Sequence, residues 1–303
     1  MKKSGMWLAS IGLGFAFYKL YQSIGTIKYF ETSDFVELFT KTSGKGETCI
    51  YVHGGPGAWS KSFEKLGGNR LESFMKMIYL DQRGCGRSEK AWNKDYSLER
   101  MIADLDELID STGAGKVFLL AHSFGGVIAT NYALKHPDKV KGLILTTATL
   151  NAFDSIRAQL KYINTVINSD YSADEDNNIK QVFQEAFRTF HRQGLRYKLL
   201  TEDKSTFDKL SKVDGSAKTV HDFAVRVWNY PEYSNDLTEE TRNLKVPVLV
   251  INGTCDTSIG ENPGEMFNFP NSENYDIEGG HLLYYEQNRE FVRLVREFVE
   301  KVK

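Results

Sequence analysis

Short, nearly continuous apolar runs recur along the chain, and helical patterns separate them. The runs are CIYVHG (Cys49 to Gly54), KMIYLD (Lys76 to Asp81), KVFLLAH (Lys116 to His122), VKGLILTTA (Val140 to Ala148) and VPVLVING (Val246 to Gly253). They are rich in Val, Ile and Leu and predict strands covered on both faces, as in a parallel sheet wrapped by helices. An earlier strand is predicted over Phe35 to Thr40. In SLERMIADLDELIDSTG, residues Leu98, Met101, Ile102, Leu105, Leu108 and Ile109 fall on one helical face, with Ser97 and Gly113 as fitting caps. Further helices are predicted over Ser123 to Lys135 and over Glu290 to Val302, the latter with Phe291, Leu294, Val295 and Phe298 on one side. Alternation of this kind predicts the α/β class.

The rhythm breaks from about Asn151 to Glu240. No strong strand run occurs there, and the pattern is helical with polar interruptions such as NSDYSADEDNN. This predicts a helical insertion at 151–240, set into a core made of 28–150 and 241–303. The first 27 residues differ again: Lys2 and Lys3 precede an apolar stretch from Met6 to Tyr18, and Lys19 follows. No A-x-A-like cleavage site follows it, so the expectation is an uncleaved anchor and a membrane-associated protein. The alternatives are a signal sequence or an amphipathic surface helix, and a cytoplasmic protein. Lys2 and Lys3 would stay in the cytoplasm, whereas Lys19 pulls the other way, so the side of the membrane is left open.

Composition narrows the function classes. The chain has 303 residues, with 41% apolar and 26% charged, which is ordinary globular usage. A formal net charge of −2 and the lack of a strongly basic stretch argue against a nucleic-acid partner. Cys49, Cys85 and Cys255 are far apart, odd in number and lack metal-ligand spacing, so they read as reduced thiols. Neither a metal nor another cofactor is expected.

One stretch carries chemistry. In LLAHSFGGV (Leu119 to Val127) an apolar run stops at Ser123, flanked two places away by Ala121 and Gly125. Small neighbours suit a sharp, strained strand-to-helix turn that exposes a nucleophile, the G-x-S-x-G elbow, here with Ala in the first position. The Phe124 N–H, at the start of a helix, suits an oxyanion. The serine needs a base and an orienting acid. Asp256, in VLVINGTCDTS, follows a buried strand; His281, in IEGGHLLYYE, follows a predicted strand and a glycine pair. The order Ser123, Asp256, His281 matches the nucleophile–acid–histidine order of this architecture. His122 points away from the nucleophile, His136 faces solvent, and His191 and His221 lie in the insertion. The loop HGGPG (His53 to Gly57) is expected to supply the second oxyanion donor from Gly55, with Gly54 as the lesser choice, while His53 is a buried hydrogen-bonding residue.

From about Asp34 to the C-terminus these residues together resemble the α/β-hydrolase superfamily. HGGPG followed by YLDQRGCGRS (Tyr79 to Ser88) resembles, more narrowly, its prolyl aminopeptidase (proline iminopeptidase) branch. The resemblance implies a mostly parallel sheet flanked by helices, a helical cap, and a serine hydrolase that releases N-terminal residues through an acyl-enzyme. The implied partner is a small-molecule or short-peptide substrate; the oligomeric state is left open. Asp81 and Arg83 are expected to pin the loops beside the oxyanion hole. A protonated amine requires a carboxylate near the pocket. One branch places Glu directly after the catalytic Asp, where this chain has Thr257; the best substitute is Glu232, beside Trp228, in VRVWNYPEYS. A carboxylesterase or carbon–carbon bond hydrolase with the same triad, or a non-catalytic ligand-binding protein, stays open beside the aminopeptidase.

Overall fold

The computed structural model describes residues 25–173, 176–260 and 267–302. The membrane-anchor expectation covers residues 1–27, of which 1–24 lie outside the described residues.

The strands are β1 (Thr26–Glu31), β2 (Glu37–Gly44), β3 (Glu47–Val52), β4 (Met75–Leu80), β5 (Cys85–Gly86), β6 (Val117–His122), β7 (Val140–Thr146), β8 (Val220–His221), β9 (Val248–Gly253) and β10 (Ser272–Ile277). Among the described residues, one eight-stranded sheet runs in the order β1-β2-β4-β3-β6-β7-β9-β10. β2 is antiparallel to β1 and β4, and every other pair is parallel. β1 begins inside the segment that the sequence sets aside as N-terminal: Thr26 and Ile27 pair with Thr42 and Lys41 of β2. Phe35, expected to open a strand, instead sits in the connecting turn with φ 63° and is 71% exposed.

The helices are α1 (Ser60–Lys65), α2 (Leu98–Ser111), α3 (Gly125–Lys135), α4 (Ala152–Ile167), α5 (Asp176–Arg192), α6 (Lys204–Asp214), α7 (Asp222–Arg226), α8 (Leu283–Glu286) and α9 (Asn288–Val302). Alternate strand residues feed opposite layers, as the period of two requires. Ile50, Val52, Leu119 and Ala121 pack with Met101 and Leu105 of α2 and Ile128 of α3. Cys49, Tyr51, Phe118 and Leu120 pack with Phe63 of α1 and Phe291, Leu294 and Phe298 of α9. β6, wholly buried, lies in the middle of the sheet and ends just before Ser123.

α4 to α7 occur between β7 and β9. Leu160 and Ile163 of α4 and Ala186 and Phe190 of α5 form a small apolar cluster of their own. β8 pairs with β5, Cys85 opposite His221, and so ties this helical insertion to the loop after β4. That loop is anchored from below by Arg83, which is fully buried. Its guanidinium holds Asp104 of α2 at 2.5 and 2.6 Å and Asp34 at 2.8 and 2.9 Å. The two forks match the planar donors of arginine to two carboxylates.

Candidate active site

Ser123 sits between the last residue of β6 and the first of α3, with φ 54°. This left-handed backbone costs a non-glycine residue about 1–2 kcal/mol. The turn is held by the Ser123 amide, which donates to the Thr147 carbonyl at 3.1 Å, and by the Ser123 carbonyl, which accepts from Gly126 at 2.9 Å and Thr149 at 3.1 Å. The close packing demands glycine at two neighbours. A Cβ on Gly125 would lie 2.3 Å from the Val52 carbonyl oxygen, and one on Gly54 would lie 2.6 Å from the Ser123 Cβ.

The structure brings Ser123, His281 and Asp256 together from three separate strand ends. His281 Nε2 lies 2.9 Å from Ser123 Oγ, and its Nδ1 lies 2.8 Å from Asp256 Oδ2. The other oxygen of Asp256 accepts from the Ser258 amide at 2.7 Å, which fixes the carboxylate. The His281 carbonyl accepts from His122 Nε2 at 2.9 Å and from Thr147 Oγ1 at 3.1 Å. Burial lowers the His122 pKa to about 3. His122 is therefore neutral at pH 7, and its ring N–H supports the His281 backbone without adding a positive charge beside the His281 imidazole.

The HGGPG loop follows β3. Gly55 and Phe124 both line a cavity that contains Ser123, and among the described residues neither amide donates to a protein acceptor. His53 fixes the loop from behind. Its Nε2 accepts from the Gln82 amide at 3.0 Å, so Nδ1 carries the hydrogen and donates to the Gly54 carbonyl, also at 3.0 Å. The Gln82 side chain returns a bond to the His53 carbonyl at 2.7 Å. Asp81 accepts instead from the amide and hydroxyl of Ser60, at 2.8 and 2.6 Å, and from Arg87 Nε at 2.7 Å. Of the DQRG residues, Gln82 touches the HGGPG loop directly; Asp81 and Arg83 brace it through α1, Arg87, Asp34 and α2.

Ser123 stands between two cavities. A large one, about 620 Å³, is walled by His281, His122, Trp59, Leu210 and Asp214. A small one, about 210 Å³, is walled by Phe124, Ile156, Phe183, Trp228 and Lys180. Gly55 and Pro56 border both. A hydroxyl, an imidazole and a carboxylate in this hydrogen-bonded order can activate the hydroxyl for attack on a carbonyl carbon.

The alpha/beta hydrolase fold family model matches residues 48–287. The chain belongs to this family. Among curated relatives, the proline iminopeptidase of Saccharolobus solfataricus is 25% identical over 283 residues, covering 86% of this chain and 87% of that one. The proline iminopeptidase of Clostridioides difficile is 26% identical over 281 residues, with coverage of 85% and 91%. Among solved structures, a proline iminopeptidase-related protein from Thermus thermophilus superposes with a TM-score of 0.77 at 21% identity, covering 92% of this chain and 98% of that one. A thermophilic esterase from Thermogutta terrifontis superposes with a TM-score of 0.67 at 23% identity, covering 91% and 99%. The matched fold thus serves proteins named for different chemistries, and specificity in this α/β hydrolase must be sought in its own cavities.

Of the two substrate-contact residues expected from sequence, Trp228 reaches the small cavity, its ring 6.1 Å from that of Phe124. Glu232 does not reach either cavity beside Ser123. Its Oε1 accepts from the Leu98 amide at 3.2 Å, at the first turn of α2, and it borders a separate surface hollow with Glu99 and Lys135. A carboxylate there satisfies a free helix N–H and complements the helix dipole, which accounts for Glu232 without a ligand. Among the described residues, the carboxylate that lines a cavity beside Ser123 is Asp214 at the end of α6, in the large one, where Oδ1 accepts from Trp59 Nε1 at 2.8 Å and Ser62 Oγ at 2.6 Å. Sequence reasoning missed Asp214 and also the support of His281 by His122 and Thr147. Only the position of His122 and Thr147 at adjacent strand ends could have signalled the latter.

Proposed function

We propose that the chain is a serine hydrolase that works through an acyl-enzyme on Ser123. The observation that carries this reading is the chain of hydrogen bonds from Asp256 through His281 to Ser123. As Ser123 Oγ attacks the substrate carbonyl, His281 Nε2 takes its proton, while Asp256 holds the Nδ1–H tautomer and stabilises the imidazolium. The carbonyl oxygen becomes an oxyanion that faces the Gly55 and Phe124 amides, donors aimed before the reaction starts. Collapse expels the leaving group, which takes the proton from His281, and a water activated by the same imidazole then releases the acid.

The two cavities divide the substrate between them. The leaving group must stay within reach of His281, which walls only the large cavity, and the acyl group then extends past Phe124, which walls only the small one. A compact acyl group and a larger leaving group follow. Ester hydrolysis fits this best, because no carboxylate lines the small cavity among the described residues to neutralise the amine of an N-terminal residue.

The second reading is an aminopeptidase that releases N-terminal residues, and the curated relatives named proline iminopeptidase favour it. The deciding experiment is the ratio of kcat/KM for a prolyl amide with a free amine to that for its N-acetylated twin, alongside a panel of acyl esters. A ratio near one with rapid ester turnover supports the esterase. A strong preference for the free amine supports the peptidase.

A further inference from the structure

Lys180 lies on α5 and its side chain reaches the wall of the small cavity beside Ser123. Its Nζ sits 5.0 Å from the ring centre of Trp228 and 5.2 Å from that of Phe153. Two π faces stabilise a cation, and an ammonium has three hydrogens to give. Among the described residues no carboxylate lines this cavity. Gln184, one turn further along α5, adds an amide to the same wall, while Phe124, Ile156 and Phe183 are apolar. The small cavity thus mixes apolar walls with neutral polar side chains, Gln159 and Gln184 among them, and holds a single described cation. Its field repels a protonated amine and attracts an anion.

The identity of the bound half follows from the acyl-enzyme reading, on which this inference rests: the acyl group occupies the small cavity. We propose that Lys180 selects acyl groups that carry a carboxylate, so that the substrate is a half-ester of a short dicarboxylic acid. Ser123 Oγ bonds to the ester carbon, the C–O bond to the alcohol breaks, and the alcohol leaves with the proton held on His281. Water then cleaves the seryl ester and regenerates Ser123, so that one half-ester and one water yield one dicarboxylate, one alcohol and one proton. The distal carboxylate stays on Lys180 throughout.

Two probes of equal length separate charge from size: monoethyl glutarate and its neutral half-amide, ethyl 4-carbamoylbutanoate. Calorimetry on the Ser123→Ala protein reads binding without turnover. The half-ester is expected to bind about tenfold to a hundredfold more tightly than the half-amide, the range for a charge-assisted hydrogen bond. Lys180→Met should bring the ratio to about one, and Lys180→Arg should keep it, which separates loss of charge from loss of folding. In the active enzyme the ratio of kcat/KM for the two esters should follow the same pattern. Equal binding of both probes by Ser123→Ala, or a preference that survives Lys180→Met, overturns the proposal even if both esters are cleaved. A Lys180-dependent preference with no release of ethanol upholds the carboxylate site and overturns the acyl-enzyme reading instead.

Discussion

The ring N–H of His122 donates to the carbonyl oxygen of His281 at 2.9 Å, so the residue just before the candidate nucleophile holds the candidate base in place. The two rings lie 4.7 Å apart, and Tyr284 packs edge-on against His122. His122 therefore acts on His281 through its backbone, as a positioning residue. His122→Ala is expected to lower kcat several-fold to tenfold with little change in KM, since a neutral hydrogen bond is worth about 1 kcal/mol. Steady-state kinetics on any turned-over ester checks this; a change in KM alone would contradict it.

The same burial makes His122 a source of acid sensitivity. Its pKa falls from 6.5 to about 3 because the charged form loses its hydration. Between these values the unfolded chain binds the extra proton and the folded one does not. Its contribution is therefore fully present above pH 6.5 and is lost as the pH falls toward about 3, at up to about 1.4 kcal/mol per pH unit. Denaturant unfolding at pH 7 and pH 5 should show the wild-type protein losing stability on acidification, and His122→Gln losing less. Equal losses would show that His122 is not the group responsible.

Arg83 is fully enclosed between Asp104 and Asp34. Burial pushes the Asp104 carboxyl up, and the Arg83 guanidinium, with Arg100 beside it, offsets part of this. Arg83→Met should cost about 3–5 kcal/mol in chemical denaturation, because it takes the main partner from a buried carboxylate. Arg83→Met combined with Asp104→Leu should recover part of the loss. A cost below 1 kcal/mol for the single variant would contradict the pairing.

Glu232 separates the sequence expectation from the structure. Its partner, Leu98, is 134 residues away in the chain, so its place at the N-terminus of α2 is invisible to local reading. Glu232→Gln should leave the free-amine to N-acetyl activity ratio unchanged and cost stability by about 0.3–1 kcal/mol, the range for a charge at a helix end. A large fall in that ratio alone would restore Glu232 to the substrate site.

Legibility followed burial. The interior parallel strands announce themselves because both faces are covered; Ser123 and Asp256 follow two of them, whereas His281 follows the half-exposed edge strand β10 and its glycines. β1 was not: TIKYFE is an edge strand with five of its six residues exposed, so no apolar run marks it. Lys180 was equally silent, being one lysine on an amphipathic helix until α5 folds over Phe153 and Trp228. Because β1 starts at Thr26, a chain beginning at Gly25 should keep full activity, whereas removal through residue 27 takes away two pairs with β2. Among the described residues no helix is long and apolar enough to cross a membrane. The expected membrane partitioning of the intact chain therefore rests on Met6 to Tyr18 and should disappear in the shortened one; fractionation of both forms without detergent checks it.

The most direct test is intact-mass and peptide mapping after treatment with a fluorophosphonate. The wild-type protein should take up one adduct, on Ser123, at a rate that falls by several orders of magnitude in His281→Ala. Ser123→Ala should take up none while keeping its unfolding midpoint, since the hydroxyl lies at a partly exposed turn. An adduct on another residue, or ester turnover at the wild-type rate in Ser123→Ala, would contradict the account.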